Sequence, residues 1–271
     1  MYAKEYGVPV RIAHSHSARF YWGNPLMKIL VPILHYYNTL RIKNYATRYF
    51  ACSLVAGEFM FPSWVKDRIE LINNAVDTEI FKPDENLRRD ARAEFGFNDD
   101  TVVVGHVARM CQIKNQGFLL KAFKEVVKIN PEARLLFVGD GEDRGQIENE
   151  IKALQLENSV ILTGQRKDVQ RLYQAMDVFI LTSLSEGLSV SSVEAQASGV
   201  PCVLPTSVSK ETDITGFVKF VSLESGERNW AEVILEQSKT DTADVTRRIK
   251  DMGYDITSAS EKLYNRFMNL N

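Results

Sequence analysis

Short apolar runs alternate with amphipathic segments through the middle of the chain. The run Thr101–Val107 is mostly apolar, whereas Gly117–Ile129 spaces its apolar residues three and four positions apart. The first pattern predicts a buried strand, and the second predicts a helix that lays one face on a sheet and ends before Pro131. This order of elements is typical of a parallel sheet covered by helices.

The same alternation continues as far as residue 204. A doubly wound α/β domain is therefore predicted, and the ligands of such domains bind at the carboxyl ends of the strands. The loops that follow the strands are the candidate site. The further predicted strands are Ala133–Val138, Ser159–Thr163, Val178–Leu181 and Pro201–Leu204, and the further helices are Arg144–Leu154, Lys167–Ala175 and Ser189–Ser198.

The pattern is weaker upstream, and the turn-rich stretch Asn73–Asp77 is the predicted domain boundary. We expect a partial domain over residues 1–76, a ligand-binding domain over 77–240 and a polar helical segment over 241–271. The upstream strands are predicted at Val8–Ala13, Tyr49–Ser53 and Arg68–Ile72, with one or two helices, interrupted at Pro32, over Pro25–Tyr49.

Composition and charge exclude several classes of protein. Of the 271 residues, 45% are hydrophobic and 25% charged, as in an ordinary globular protein, and the net charge of -2 predicts no nucleic-acid partner. Cys52, Cys111 and Cys202 lack the spacing of a zinc site or a disulfide framework. Because no apolar run approaches the ~20 residues of a membrane span and no signal peptide is recognisable, we expect a cytoplasmic protein.

Two carboxylates flank a predicted helix start. Glu186 precedes the helix expected near Ser189, and Glu194 lies about one and a half turns inside it. Carboxylates accept hydrogen bonds from sugar hydroxyls, and the free amides around Gly187–Val190 can receive a diphosphate. The pattern indicates a nucleotide-sugar site, against the alternative of an ordinary helix cap made by Ser189 or Ser191.

Two cations, Arg109 and Lys114, follow the strand Thr101–Val107 at its carboxyl end. Both can neutralise the charge on a departing diphosphate, although a surface ion pair is the favoured interpretation for either residue alone. The next strand runs into Val138–Glu142, whose glycines do not match the dinucleotide fingerprint. We therefore expect no nicotinamide cofactor, and turn chemistry is favoured over a metal-binding loop.

His14 and His16 end the first predicted strand as His-Ser-His. Imidazoles at a strand terminus can face a cleft and donate to substrate hydroxyls or phosphate. The alternative is that each is a solvated loop histidine. A zinc site at this position would lack a third ligand.

Four ordered segments resemble the C-terminal half of glycosyltransferase family 4. The resemblance implies a GT-B fold of two Rossmann-like domains and retaining transfer from a nucleotide-diphosphate sugar, a UDP-sugar in particular, to a glycan or lipid-linked acceptor without a metal cofactor. These segments are Gly105–Asn115, Leu135–Asp143, Asn158–Asp168 and Ser185–Val203. Shorter stretches similar to bacterial capsule and exopolysaccharide enzymes are Ile12–Ser17, Phe50–Ser53, Ile72–Phe81 and Thr206–Gly216.

The resemblance also implies roles around the predicted helix start. Glu186 would hydrogen-bond the donor sugar, and Glu194 would hydrogen-bond the ribose. The amides of Gly187, Leu188 and Ser189 would bind the diphosphate. The two carboxylates would thus hold the donor and would not act as the acid and nucleophile of a hydrolase.

The remaining implied roles fall on basic side chains. Arg109 and Lys114 would clamp the phosphates, and Arg166 would lie in the loop that meets the base. His14 best matches the active-site histidine of the family, and His16 remains the alternative because the matching segment is short.

The chain departs from the family at its start. About the first half of the family's N-terminal domain has no counterpart in this sequence. Three interpretations remain open: a fragment or mis-started reading frame, a degenerate protein, and a subunit that a partner chain completes. The alternative to an enzyme is a non-catalytic nucleotide-sugar-binding or scaffold protein. An epimerase is not expected, because the glycine fingerprint and a Tyr-x-x-x-Lys pair are both missing.

Positive charge is concentrated in the first 50 residues, where seven basic residues stand against Glu5. Two interpretations are open: a helix that rests peripherally on the inner face of an anionic membrane, and a core-facing helix with a solvated basic side. The basic residues are Lys4, Arg11, Arg19, Lys28, Arg41, Lys43 and Arg48, interleaved with Tyr21, Trp22, Tyr36, Tyr37 and Tyr45.

Overall fold

The computed structural model describes residues 2–17 and 25–269, so that Arg19, Tyr21 and Trp22 of the basic region lie outside the described residues. The first unit is a parallel sheet of three strands in the order β1-β2-β3. Its elements are α1 (Tyr2–Glu5), β1 (Ile12–Ser15), α2 (Pro25–Ile42), β2 (Arg48–Ala51), α3 (Leu54–Met60), a 3-10 helix (Ser63–Arg68) and β3 (Ile69–Leu71).

The second unit is a parallel sheet of six strands in the order β6-β5-β4-β7-β8-β9. This is the strand order of a doubly wound nucleotide-binding sheet, whose ligand crevice opens where the order reverses, between β4 and β7. The strands are β4 (Val103–Val107), β5 (Arg134–Val138), β6 (Val160–Gly164), β7 (Val178–Ile180), β8 (Cys202–Pro205) and β9 (Val218–Val221).

Helices cover both faces of this sheet, and the predicted doubly wound α/β architecture is confirmed. The predicted strands of this unit agree with the structure to within two residues, and β9 adds a sixth. The helices are α4 (Thr78–Phe81), α5 (Glu85–Glu94), α6 (Gln116–Ile129), α7 (Arg144–Ala153), α8 (Val169–Gln174), α9 (Val190–Ala197), α10 (Glu227–Gln237), α11 (Val245–Asp251) and α12 (Ile256–Met268).

Helix α2 continues through Pro32, so the predicted interruption there is wrong. Proline removes one hydrogen bond of the helix and leaves a carbonyl oxygen without its donor. Pro32 itself is exposed, and neighbouring groups or water can satisfy the carbonyl that a proline frees within a helix. None of the helices in the described parts of the chain is long and apolar enough to cross a membrane.

The six-stranded sheet is buried on both faces. One face packs under α6 and α10 in a cluster that includes Phe123 and Trp230, and the other packs under α5 and α8 with Tyr173 and Phe179. Strands buried on both sides are apolar at successive positions. This explains why their sequences are continuous apolar runs.

Helix α5 is held to the sheet by a largely buried charge, Asp177. Its carboxylate accepts hydrogen bonds from Arg88 Nη2 (2.6 Å), Arg92 Nη1 (3.2 Å) and the Val103 amide (2.7 Å). Arg92 is buried, and its guanidinium also donates to the carbonyl oxygen of Ala175. A buried charge must be paired and hydrogen-bonded in this way, so this network fixes a helix whose own sequence is mostly polar.

The two sheets share an apolar cluster. It joins Cys52 and Val76 to Leu188, Ile214 and Tyr254 of the second unit and its C-terminal extension. The last helix then returns to the first unit, where Arg266 donates to the Leu71 carbonyl oxygen at 3.1 Å and Phe267 lies against Phe50. The predicted polar C-terminal segment is therefore helical and packs on the first sheet through α12.

Candidate functional site

Two predicted site residues meet at the crevice between β4 and β7. Lys114 Nζ forms an ion pair with Glu186 Oε1, and the side chains are only 20% and 14% exposed. Ser183 Oγ donates to the same carboxylate oxygen at 2.8 Å. Lys114 follows β4 and Glu186 follows β7, so the strand order brings together residues that are 72 positions apart.

Backbone contacts fasten the loop that carries Lys114. It ends in Asn115, which has a left-handed backbone (φ 52°) that asparagine tolerates better than most residues. Thr182 Oγ1, just after β7, donates to the carbonyl oxygens of Lys114 (3.0 Å) and Asn115 (3.1 Å). The Leu184 amide donates to the Ile113 carbonyl oxygen at 2.8 Å. The loops after β4 and β7 are thus held as one platform.

The loop after Glu186 leads into helix α9 and leaves its first turn uncapped. Ser189 occupies the N-cap position, but its hydroxyl makes no capping hydrogen bond and lies 3.0 Å from Ser191 Oγ. Leu188 is buried in the cluster shared by the two sheets, which anchors the loop. Uncapped amides at a helix N-terminus attract anions. Ser189 occupies the N-cap position without making a capping hydrogen bond, so α9 is not the ordinary capped helix of the alternative interpretation.

Glu194 lies within α9 and contacts a buried tyrosine. Tyr173 in α8 is fully buried, and its hydroxyl donates to Glu194 Oε2 at 2.9 Å. Burial raises the pKa of Glu194, and the hydrogen bond from Tyr173 partly offsets this increase. The sequence patterns above do not identify Tyr173 as a site residue. The available signal was a tyrosine at an apolar position of a predicted amphipathic helix, where a buried hydroxyl needs a partner.

Arg109 and Arg166 lie on a neighbouring cavity and are engaged in other ion pairs. Arg109 is largely exposed, and its Nε lies 2.9 Å from Glu142 Oε2. Arg166 pairs with Asp168 at 2.7 Å and with Glu94 at 2.9 Å. The cavity, of about 550 Å³, lies at the carboxyl ends of β4, β5 and β6. It is lined by Val107, Ala108, Arg109, Val138, Gly139, Asp140, Gly141, Gln165, Arg166 and Val169.

Two glycines bring backbones close together beside this cavity. A Cβ atom at Gly139 would lie 2.0 Å from the Ala108 carbonyl oxygen, and one at Gly141 would lie 2.2 Å from the Met110 carbonyl oxygen. Gly139 also has φ 132°, which residues with a side chain rarely adopt. The Met110 amide donates to the Asp140 carbonyl oxygen at 2.9 Å. The glycine turn therefore serves close packing of the loops after β4 and β5.

His14 and His16 lie on the first unit at the carboxyl end of β1. Their rings are 4.1 Å apart, and His14 also meets the edge of Phe50. Partial burial and the neighbouring His16 lower the pKa of His14. Over residues 2–17 and 25–269, no hydrogen bond or ion pair links either imidazole to Lys114 or Glu186. Their role at the crevice stays a prediction.

Sequence comparison with known proteins points to the same class of protein as the motifs, the glycosyltransferases. The family model described as "Glycosyl transferases group 1" matches residues 88–214. The "Putative glycosyltransferase EpsF" of Bacillus subtilis (strain 168) is 33% identical over 269 residues, which is 96% of this chain and 68% of that protein. The "UDP-Gal:alpha-D-GlcNAc-diphosphoundecaprenol alpha-1,3-galactosyltransferase" of Escherichia coli is 31% identical over 51% of this chain and 36% of its own length.

Solved structures share the fold. HepE of Anabaena, crystallised with UDP and glucose, superposes with a TM-score of 0.79 at 19% identity, over 96% of this chain and 71% of that one. WaaG, a glycosyltransferase involved in lipopolysaccharide biosynthesis, superposes with a TM-score of 0.71 at 14% identity, over 97% and 78%. At these identities the likeness concerns the fold alone, and it confirms the predicted GT-B-type α/β architecture with parallel sheets.

Proposed function

Because the chain belongs to the group 1 glycosyltransferases, we propose that it transfers a hexose, with retention, from a nucleotide-diphosphate sugar to a glycan or lipid-linked acceptor. A UDP-sugar is the proposed donor, and capsular or exopolysaccharide synthesis is the proposed process. The names of relatives support both: EpsF matches nearly all of this chain, and the similar Escherichia coli enzyme is named for UDP-Gal. HepE was crystallised with UDP and glucose.

The observation that carries this proposal is the ion pair between Lys114 and Glu186 beside the uncapped start of α9. Transfer breaks the bond between the sugar and the phosphate oxygen and adds negative charge to the departing diphosphate, so the site must supply positive charge that is already in place. Lys114 and the amides of Gly187, Leu188 and Ser189 would supply that charge. The Glu186 carboxylate, an acceptor only, suits the hydroxyls of the donor sugar.

The other proposed donor contacts extend along the same edge of the sheet. Glu194 would accept from the ribose, and Arg166 would border the base in the neighbouring cavity. Arg109 would turn from Glu142 to the phosphates, because its pair with Glu142 is largely exposed and such pairs cost little to break. His14 would be the active-site histidine, and His16, the alternative for that role, would lie on the acceptor side.

Metal independence is part of the proposal, since Lys114 and the start of α9 would take the place of a divalent ion. Sugar transfer by protein treated with EDTA should therefore stay within about 2-fold of the untreated rate, because the fixed charges remain in place. Release of UDP in the presence of an acceptor extract measures the rate. Loss of activity that added Mn²⁺ or Mg²⁺ restores would contradict metal independence.

Two measurements on the purified chain test the function itself. Calorimetry should detect binding of UDP, and UDP release from UDP-glucose, UDP-galactose or UDP-N-acetylglucosamine should detect turnover. Binding together with turnover supports the transferase. Binding without turnover would favour the alternative of a non-catalytic nucleotide-sugar-binding or scaffold protein, and no binding would contradict both.

Replacing Tyr173 with phenylalanine should make UDP affinity more sensitive to acid. Loss of the hydroxyl removes the hydrogen bond that lowers the Glu194 pKa, so this pKa should rise further. A protonated carboxyl group is a poorer acceptor for ribose hydroxyls, and affinity should begin to fall at a higher pH than in the wild type. Calorimetry across the acidic range measures the shift.

The matched control for this variant is Tyr49→Phe, since Tyr49 is equally buried but lies in β2 of the first unit. It should leave the pH profile of UDP binding unchanged. If Tyr173→Phe lowers affinity by the same factor at every pH, the tyrosine supports the helix without tuning the carboxylate.

A further inference from the structure

The buried strand β4 carries a polar side chain, His106, among valines and a glycine. His106 is 0% exposed, and the edge of its ring meets Phe137 with the ring centres 4.8 Å apart. Its Nδ1 lies 2.9 Å from the carbonyl oxygen of Ile180, the last residue of β7. Strands covered on both faces are normally apolar, and a buried polar group costs free energy unless it is hydrogen-bonded. An imidazole at this position therefore needs a reason other than packing.

The contacts of His106 fix its tautomer. Burial lowers the pKa of His106 to about 4, against the opposing effect of the hydrogen bond to Ile180, so the ring is neutral at physiological pH. A carbonyl oxygen can only accept, so Nδ1 carries the proton and donates to Ile180. Nε2 is then an acceptor. It faces Gln116 Nε2 at 3.5 Å, at the long end of hydrogen bonding.

Gln116 closes the loop of residues 109–116 that follows β4. It is 3% exposed and begins α6, and its Nε2 also donates to the Arg109 carbonyl oxygen at 2.9 Å. An amide nitrogen has two hydrogens, and its two neighbours, a carbonyl oxygen and an unprotonated imidazole nitrogen, are both acceptors. One side chain thus joins the two ends of the loop, and His106 holds that side chain in turn. Lys114 lies on this loop.

We propose that His106 and Gln116 act together as positioning residues for Lys114. They connect the carbonyl oxygen of Ile180 in β7 to the loop after β4, so the cation on that loop is placed relative to the strand that Glu186 follows. A fully satisfied polar network in a buried site makes the structure more rigid. The inference rests on the proposed function, in which Lys114 stabilises the departing diphosphate. Its placement matters there, because a shift of about 1 Å in such a group can cost ~100-fold in rate.

Replacing Gln116 with methionine keeps the length of the side chain and removes both of its donors. Gln116→Met should lower kcat for UDP release by about 10- to 100-fold and change the KM of the donor by less than about 3-fold. The reason is that the charge stabilised by Lys114 develops in the transition state. Initial rates measure both constants, with the UDP-sugar that the wild-type protein turns over.

The matched control is Gln237→Met. Gln237 is also 3% exposed, and its Nε2 donates to the Phe217 carbonyl oxygen at 2.8 Å, at the amino end of β9 and therefore away from the crevice. Both variants lose one buried amide, so thermal unfolding should show a similar loss of stability. Only Gln116→Met should lower kcat.

A double variant tests whether the two side chains act together. His106→Phe should also lower kcat, since phenylalanine fills the space of the imidazole without its nitrogens. His106→Phe/Gln116→Met should be about as slow as the slower single variant, because the same connection is broken in all three. Effects that multiply in the double variant would overturn the joint role.

Amide hydrogen exchange reports the position of the loop without any donor. The Leu184 amide donates to the Ile113 carbonyl oxygen at 2.8 Å, so its protection depends on the loop being in place. Exchange at Leu184 should be faster by about 10-fold or more in Gln116→Met and unchanged in Gln237→Met. Wild-type protein that turns over no UDP-sugar would contradict the proposed function, whereas exchange at Leu184 would still decide whether Gln116 positions the loop.

Three further results would overturn the positioning role. One is a kcat for Gln116→Met equal to that of Gln237→Met, and another is unchanged exchange at Leu184 in Gln116→Met. The third is a His106 imidazole that carries its proton on Nε2, or on both nitrogens, in nitrogen NMR spectra at neutral pH. Such a ring would have no acceptor to offer Gln116.

Discussion

Lys114→Ala is expected to lower the rate of sugar transfer by about 100- to 1,000-fold, the usual effect of removing one preorganised group that stabilises a developing anion. Lys114 is the cation that the structure holds in the crevice between β4 and β7, next to the start of α9. Its loss would also leave the mostly buried Glu186 carboxylate without its partner. Such a charge is costly, so stability should fall as well.

A second substitution separates the two effects. The double variant Lys114→Ala/Glu186→Gln removes both charges and should regain thermal stability without regaining activity. Lys121→Ala is the matched control, because Lys121 is exposed on the helix that begins just after Lys114. UDP release and thermal unfolding measure the two quantities. A Lys114→Ala variant that keeps the wild-type rate would remove the main support for the proposed mechanism.

Gly139→Ala is expected to lower the free energy of unfolding by about 3–5 kcal/mol, in the range that conformational strain combined with a steric clash produces. The added Cβ would lie 2.0 Å from the Ala108 carbonyl oxygen, and neither backbone can retreat without breaking hydrogen bonds after β4 and β5. The cavity beside Arg166 should deform, so UDP affinity should fall in the fraction that remains folded.

Gly145→Ala provides the control for this substitution. Gly145 lies in the first turn of α7, and a Cβ atom there would meet no atom within 4 Å. Alanine favours a helix over glycine, so this variant should be neutral or more stable by up to about 1 kcal/mol. Urea unfolding measures both variants. Equal stability of the two would mean that the loop of Ala108 moves aside freely.

The sequence predicts the second sheet well because of how it is buried. Strands β4 to β8 are covered on both faces, which makes them continuous apolar runs. Strand β9 was missed because it is a short edge strand in which exposed Lys219 alternates with partly buried residues. Helix α5 was missed because its sequence is mostly charged, and its place depends on the distant Asp177.

The sequence predicted which loops form the site, but it did not predict how the side chains on those loops pair. Lys114 follows β4 and Glu186 follows β7, and these two strands are neighbours at the point where the strand order reverses. Because ligands of such sheets bind at the carboxyl ends of the strands at this point, both residues fall at one crevice. Their direct pairing, and the bond from Tyr173 to Glu194, depend on side-chain packing that spacing does not encode. The position of His14 relative to the crevice depends on how the two units pack, which no local pattern specifies.

The cluster that joins Cys52 and Val76 to Leu188, Ile214 and Tyr254 limits how this chain can be recombined. A chimera that takes residues 1–76 from one homologue and the remainder from another would pair side chains that have not been selected together. The mismatch would fall directly behind the loop of Gly187–Ser189, so exchanging the first unit to change the proposed acceptor would also disturb the loop that is proposed to bind the donor. Among homologues, the residues on the two sides of this junction should therefore vary together.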